Sequence, residues 1–219
     1  MEGIVEKREL KSKGRYFLSF LIGTIVFLLI FALSYYISYI EFQRISNLQG
    51  TTAYSIFEDK LDYSLFEEEM CSEKNFQNIS DSLHFQGQII DALEKKLGKN
   101  NQGVLFRKKF YSLVELEHFE FVRAYNEKCN KNINTILFFY SNQEKDIKKG
   151  EDVGTLLGSV YEKNPDNLII YSFDINLDSD LIRKLKDRYN INYPNTLVIN
   201  EFYEIVNPES VEQIKNCLN

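Results

Sequence analysis

Ile136-Leu137-Phe138-Phe139-Tyr140-Ser141-Asn142-Gln143-Glu144-Lys145 decides how the C-terminal half of this chain folds. Its first five residues are a short, uninterrupted, aromatic run, the pattern of a strand buried in the centre of a sheet. The five that follow are polar, and no cysteine stands between residues 130 and 216. Working outward, Val153, Leu156, Leu157, Val160 and Tyr161 recur at helical spacing and predict a helix from about Glu151 to Lys163. Asn164-Pro165 ends it, because the residue before proline disfavours helix. Leu168 to Ile175 reads as a second strand. Asp178-Ser179-Asp180 offers N-cap side chains to a helix carrying Leu181, Ile182, Leu185 and Tyr189. Asn192-Tyr193-Pro194-Asn195 leads into the apolar run Thr196 to Ile199, followed by a hairpin partner, Phe202 to Val206, and a closing helix, Glu209 to Leu218. The expected class is α/β, with a helical crossover between parallel strands and a tight turn between antiparallel ones.

This order, with the aromatic strand running into Ser141 and the segment Asn192 to Asn200, resembles the thioredoxin-like superfamily from about Asn134 to Leu218. Within it, the chain is similar to membrane-anchored archaeal thioredoxin-like proteins in which a helical segment precedes the domain. The resemblance implies a central mixed sheet with flanking helices and a cis-proline loop at Tyr193-Pro194. It also implies a groove in which an extended peptide pairs with the backbone before that proline, lined by Ser141, Asn142, Gln143, Tyr193 and Pro194. A plain turn fixed by Pro194 is the competing reading of that residue.

The chain departs from the family where the chemistry would be. The family places CxxC after the aromatic strand, where free N–H groups and the helix dipole favour a thiolate. Here Ser141-Asn142-Gln143-Glu144-Lys145 occupies that place. The expected function is therefore a protein- or peptide-binding or scaffold module with no catalytic residue, cofactor or metal. The alternatives are a thiol-disulfide oxidoreductase using Cys217 or the Cys71 and Cys129 pair, and assembly through the helical segment.

Tyr16 to Ile40 carries no charge and is bounded by Arg15 and Glu41. As a helix it is roughly 37 Å long at about 1.5 Å per residue, enough to cross a bilayer core of about 30 Å. Tyr16 and Phe17 at one end and Tyr35, Tyr36 and Tyr39 at the other suit the two membrane interfaces. Lys7, Arg8, Lys11, Lys13 and Arg15 precede the segment, whereas Arg44 and Lys60 are the only cations in the first twenty residues after it. Residues 1–15 are then a cytoplasmic tail, 16–40 a single-pass anchor, and the remainder extracytoplasmic. A cleavable signal peptide would have a shorter apolar core and a small-residue cleavage site.

Residues 41–131 precede the α/β part (132–219) and lack proline, with helical periodicity. A first helix is predicted from about Tyr54 to Cys71, with Phe57, Leu61 and Leu65. A second runs from Phe76 through Ile79, Leu83, Ile90, Leu93 and Leu97, interrupted at Gln86 and closed by Gly98-Lys99-Asn100-Asn101. A third, about Val104 to Lys128, carries a stripe of Tyr111, Val114, His118, Phe121 and Tyr125, widened by Phe106, Phe110 and Leu113. An up-down-up bundle brings the C-terminal ends of the first and third helices together, and with them Cys71 and Cys129. Outside the membrane such a pair forms a structural disulfide, and chain entropy for a loop of nearly sixty residues gives about 4 kcal/mol. Lys131-Asn132 offers little linker, so contact between helices and α/β part is expected.

Net charge is −6, and no basic patch interleaved with aromatics follows the tail, which argues against nucleic-acid binding. Lys145 to Lys149 reads as a solvated loop without a phosphate-binding glycine cradle. Glu67-Glu68-Glu69 reads as the wet face of a helix. His84 and His118 fall in helices, where packing or surface roles are expected, and Cys217 is the odd thiol. Asn78-Ile79-Ser80 is a glycosylation sequon.

Overall fold

The computed structural model describes residues 14–40 and 71–218. The chain divides into two compact units, residues 1–55 and 56–219. In the first, α1 (Gly14–Ile40) is long and apolar enough to span a bilayer, its side chains exposed along its whole length. The predicted helix Tyr54 to Cys71 lies, apart from Cys71, outside the described residues, as does Glu67-Glu68-Glu69.

The second unit begins with a helical hairpin. α2 (Glu73–Leu97) stops at Gly98, whose φ of 89° strains any residue with a Cβ. α3 (Gln102–Cys129) starts at Asn101, whose side chain accepts from the N–H groups of Gly103 and Val104. Its end is Asn130, in the left-handed region at φ 50°. The two helices are zipped by an aromatic cluster in which Phe76 stacks on Tyr125 at 4.5 Å and on Phe121 at 5.9 Å.

After α3 the chain forms β1 (Asn134–Tyr140), α4 (Ile147–Tyr161), β2 (Leu168–Asp174), α5 (Asp180–Arg188), β3 (Thr196–Ile199), β4 (Tyr203–Val206) and α6 (Val211–Lys215). The four strands make one mixed sheet in the order β2-β1-β3-β4. β1 pairs in parallel with β2, Asn134 opposite Leu168, and antiparallel with β3, Ile136 opposite Ile199. β3 and β4 are antiparallel through a turn at Asn200 and Glu201, both at positive φ.

Alternation along β1 divides the core. Leu137 and Phe139 face a cluster shared with α3 (Val114, Phe119) and α5 (Ile182, Leu185). Ile136 and Phe138 face one shared with α4 (Val153, Leu157, Val160) and α6 (Ile214). The hairpin thus contributes to the sheet's own core, as the short Lys131-Asn132 link implied.

Two expectations need correction. Phe106 and Leu113, read as widening the α3 stripe, are exposed, while Arg107, Lys108, Ser112 and Glu115 are buried in their stead. α4 starts at Ile147, not Glu151, because the N–H groups of Asp146 and Ile147 bond to the Gln143 carbonyl and turn the chain early. Lys148 and Lys149 are therefore helical, and only Lys145 lies in the loop.

Cys71 and Cys129 form a disulfide, with their Cα atoms 5.4 Å apart. Because α2 and α3 run antiparallel, the bond closes the open end of the hairpin, just before α2 and at the last residue of α3. The Glu73–Lys131 ion pair sits beside it. Serine at both cysteines should lower the free energy of unfolding by about 2–4 kcal/mol, as expected for a loop of 58 residues. Denaturant titration of the wild type with and without reductant checks this, because the reduced wild type should match the double variant.

Candidate functional site

The turn after β1 is closed by its own side chains. Ser141 is buried, donates its hydroxyl proton to Asp146 at 2.7 Å and accepts from the N–H of Gln143 at 3.1 Å. Asn142 turns the other way and donates to Asp174 Oδ2 at 2.9 Å. Asp174, at the end of β2, also accepts from the N–H of Asn176 and from Lys108 Nζ, both through short contacts. The ends of the two parallel strands are thereby tied to α3.

Beside this knot is a cleft of about 340 Å³. Its floor is one face of β1 and β2, with Phe138, Tyr140, Ile170, Ser172 and Asp174. One wall comes from α2 and α3, the other from the start of α4. Its size is that of a small-molecule site, and its lining joins a partly apolar floor to walls rich in charged and polar side chains. Gly87 makes room in the wall, since a Cβ there would stand 2.7 Å from the Tyr111 hydroxyl.

Lys108 is the cation of the cleft. Its Nζ lies 2.9 Å from Asp174, 2.8 Å from Glu94 and 5.0 Å from the centre of the Tyr140 ring. Burial works against the ammonium, but Tyr140, Asp174 and Glu94 outweigh it and hold the lysine above its ordinary pKa. Burial also raises the Tyr111 and Tyr140 hydroxyls, keeping both neutral.

Glu115 is different. Its Oε1 accepts from the N–H of Ser172 at 2.7 Å, while its Oε2, also buried, meets no hydrogen-bond partner among the described residues. Burial lifts its pKa to about 8, against the opposing effects of the Ser172 N–H and Lys108. The side chain is a neutral acid at pH 7.

His118, one turn along α3, is a packed histidine. Ser80 donates its only hydroxyl proton to the Phe76 carbonyl, so Nε2 carries the proton of the ring and donates to Ser80 Oγ at 3.2 Å. Nδ1 then accepts from the Tyr171 hydroxyl at 2.8 Å. Burial lowers its pKa to about 4. His84 is exposed and near Gln88, and Asn78 is exposed on α2.

The residues expected to line a peptide groove share one end of the sheet. Continuing the β1–β3 register by two residues sets Ser141 across from Pro194. Tyr193 and Gln143 are exposed and Pro194 is half-buried. The peptide bond before Pro194 is trans, like the others among the described residues, whereas the resemblance implies a cis-proline loop there. The Tyr193 carbonyl already accepts from the Thr196 hydroxyl at 2.8 Å. Of the five, only Ser141 and Asn142 reach the cleft.

Lys108, Glu94, Glu115 and Asp174 went unrecognised in the sequence because nothing local marks them; charged residues on a helix are normally solvated. The one available signal was lysine and glutamate at 108 and 115, flanking a stripe that already contained His118. Among the described residues no group of three or more His, Cys, Asp or Glu is placed to hold a metal ion. No family profile matches the chain, and no curated protein matches it in sequence.

Glu115 and His118 make opposite contributions to stability. Between about pH 4.5 and 8 the folded protein holds a proton on Glu115 that the unfolded chain has released, so this contribution falls as pH rises. Between about pH 4 and 6.5 the unfolded chain protonates His118 while the folded one does not, so that contribution rises with pH. Of these two groups, only Glu115 acts from pH 6.5 to 8. Relative to Glu115→Gln, the wild type should lose stability across that window, by at most about 1.4 kcal/mol per pH unit. Urea titrations of both proteins at pH 6.5, 7.2 and 8 check this, and parallel curves would refute it. Lys108→Met, which strands Asp174 and Glu94 without their cation, should cost about 3–5 kcal/mol.

Proposed function

We propose that this chain is a single-pass membrane protein whose second unit is a thioredoxin-like domain without the redox dithiol, working by binding a protein or extended peptide. The observation that carries the reading is the turn after β1. Where a thioredoxin-type nucleophile would stand, Ser141 is buried with its hydroxyl donating to Asp146 and accepting from Gln143. The order of elements and the sheet order β2-β1-β3-β4 support the thioredoxin-like part.

The sulfur atoms support the non-catalytic part. Cys71 and Cys129 are joined to each other at the open end of the hairpin. Cys217 is half-buried, packs against the cluster beneath α4 and α6, and lies 3.6 Å from the Gln213 carbonyl. None of the three lines the cleft. The exposed ring of Tyr193, across from the Ser141–Gln143 turn, is the surface a peptide would meet.

α1 and the cations before it support an anchor with the second unit extracytoplasmic. A reporter enzyme active only outside the cytoplasm, fused after Asn219, should be active, and one fused before Met1 inactive. The full chain in detergent should not accelerate insulin reduction by dithiothreitol. Turnover abolished by Cys217→Ser, or by replacing Cys71 and Cys129, would establish the oxidoreductase alternative. Peptide binding should perturb the amide signals of residues 141–143 and 193, and Tyr193→Ala should weaken it.

A further inference from the structure

We propose that the cleft between the α2–α3 hairpin and the start of α4 binds a small organic cation, a primary ammonium on a short apolar stem, with Glu115 receiving the charge. The proposal does not rest on the peptide groove at Tyr193 and Pro194, because the cleft's outer wall is the hairpin.

Charge selects the sign of the ligand. Lys108, the single buried ammonium among the described residues, is already held by Glu94 and Asp174, two carboxylates to one cation, so it offers nothing to an anion. At the rim Lys99 is paired with Glu151, and Asp91 with Lys95. Carboxylates outnumber cations along the wall, which favours a positive guest.

A single atom specifies where its charge goes. Glu115 is 2 % exposed, on the wall of the cleft, and its Oε2 is buried without a hydrogen-bond partner. A buried polar atom left without a partner costs about 1–3 kcal/mol. An arriving ammonium supplies that partner and stabilises the carboxylate, so Glu115 gives up its proton on binding. The groups facing it are Lys108 and Tyr111 from α3, Glu94 from α2, Tyr140 from β1, and Tyr171 and Asp174 from β2. None of the tyrosines is charged near neutral pH. The apolar stem would lie on Phe138, Ile170 and Ile147, and a cavity of about 340 Å³ holds a chain of five or so carbons rather than a folded peptide.

The test uses the full-length chain in detergent micelles, titrated calorimetrically at pH 7 in buffers of different ionisation enthalpy. The probes are 1,5-diaminopentane, Nα-acetyl-lysinamide and the uncharged isostere 1,5-pentanediol. At least one amine should bind roughly tenfold or more tightly than the diol, releasing close to one proton, with affinity rising from pH 6 to 8. Glu115→Gln should abolish the proton release and weaken binding by roughly tenfold or more. The proton count in the wild type is decisive even should that variant fail to fold. Preference for the diamine assigns the site to a free amine, preference for the lysinamide to the side chain of a bound peptide. The proposal is overturned by equal binding of diol and amines, by binding that releases no proton, or by no binding of either amine at millimolar concentration to folded protein.

Discussion

The outer edge of β2 has to be covered, and α3 covers it. β2 ends the sheet on one side, so its outward backbone groups lack a neighbouring strand, and an open edge of that kind invites pairing with other chains. Glu115 answers the Ser172 N–H directly, and Lys108 grips Asp174 where the strand ends. Phe119, fully buried, meets the Tyr171 ring edge-on at 5.6 Å. A helix that seals a strand edge must present polar atoms there and apolar ones to the sheet face. This is why α3 buries Lys108, Glu115 and His118 together with Val114, Phe119 and Val122.

The arrangement explains why charged side chains tolerate the interior. Lys108 sits between two carboxylates, and His118 has a partner on each ring nitrogen. Glu115 is half-satisfied, and it resolves the cost by holding a proton, the usual response of a buried acid. Its titration therefore couples the helix that seals the sheet to the contents of the cleft beside it. The opposite edge, β4, has no such cover among the described residues; it is four residues long and carries Glu204 amid exposed Tyr203 and Val206.

How much of this was legible in the sequence follows from how local each signal is. The apolar run at 136–140, the Asn-Pro stop after α4, the Gly98 turn and the alternation of strands with helices are local, and each found its element. The disulfide partners were also found, and the antiparallel α2–α3 pair brings them together; the parallel first helix expected to do so lies, apart from Cys71, outside the described residues. The stripe on α3 was right at Val114, His118, Phe121 and Tyr125 and wrong at Phe106 and Leu113. A single stripe presumes a helix with one buried side, whereas α3 touches α2, the sheet face and the strand edge at once. The cleft was illegible for the same reason. Glu94, Lys108, Glu115 and Asp174 come from three elements, and only the crossing of a hairpin over a strand edge brings them together.

The two helices of the cleft's hairpin wall differ in how firmly they stand. α3 is fixed to β2 by buried bonds that solvent does not screen. α2 touches the sheet less and depends on α3, through the Phe76, Phe121 and Tyr125 cluster at one end and the Gly98 turn at the other. The turn that follows it is tied to α4 by the Lys99–Glu151 pair at 3.5 Å, a rim contact that salt weakens. The disulfide lies at the end of α2 remote from that turn, where the hairpin would otherwise fray first. It thus holds the N-terminal end of α2 to α3, while the Gly98 turn holds the end that carries Glu94 and Asp91. The same covalent bond that stabilises the fold by restricting the unfolded chain also ties together the two helices of that wall.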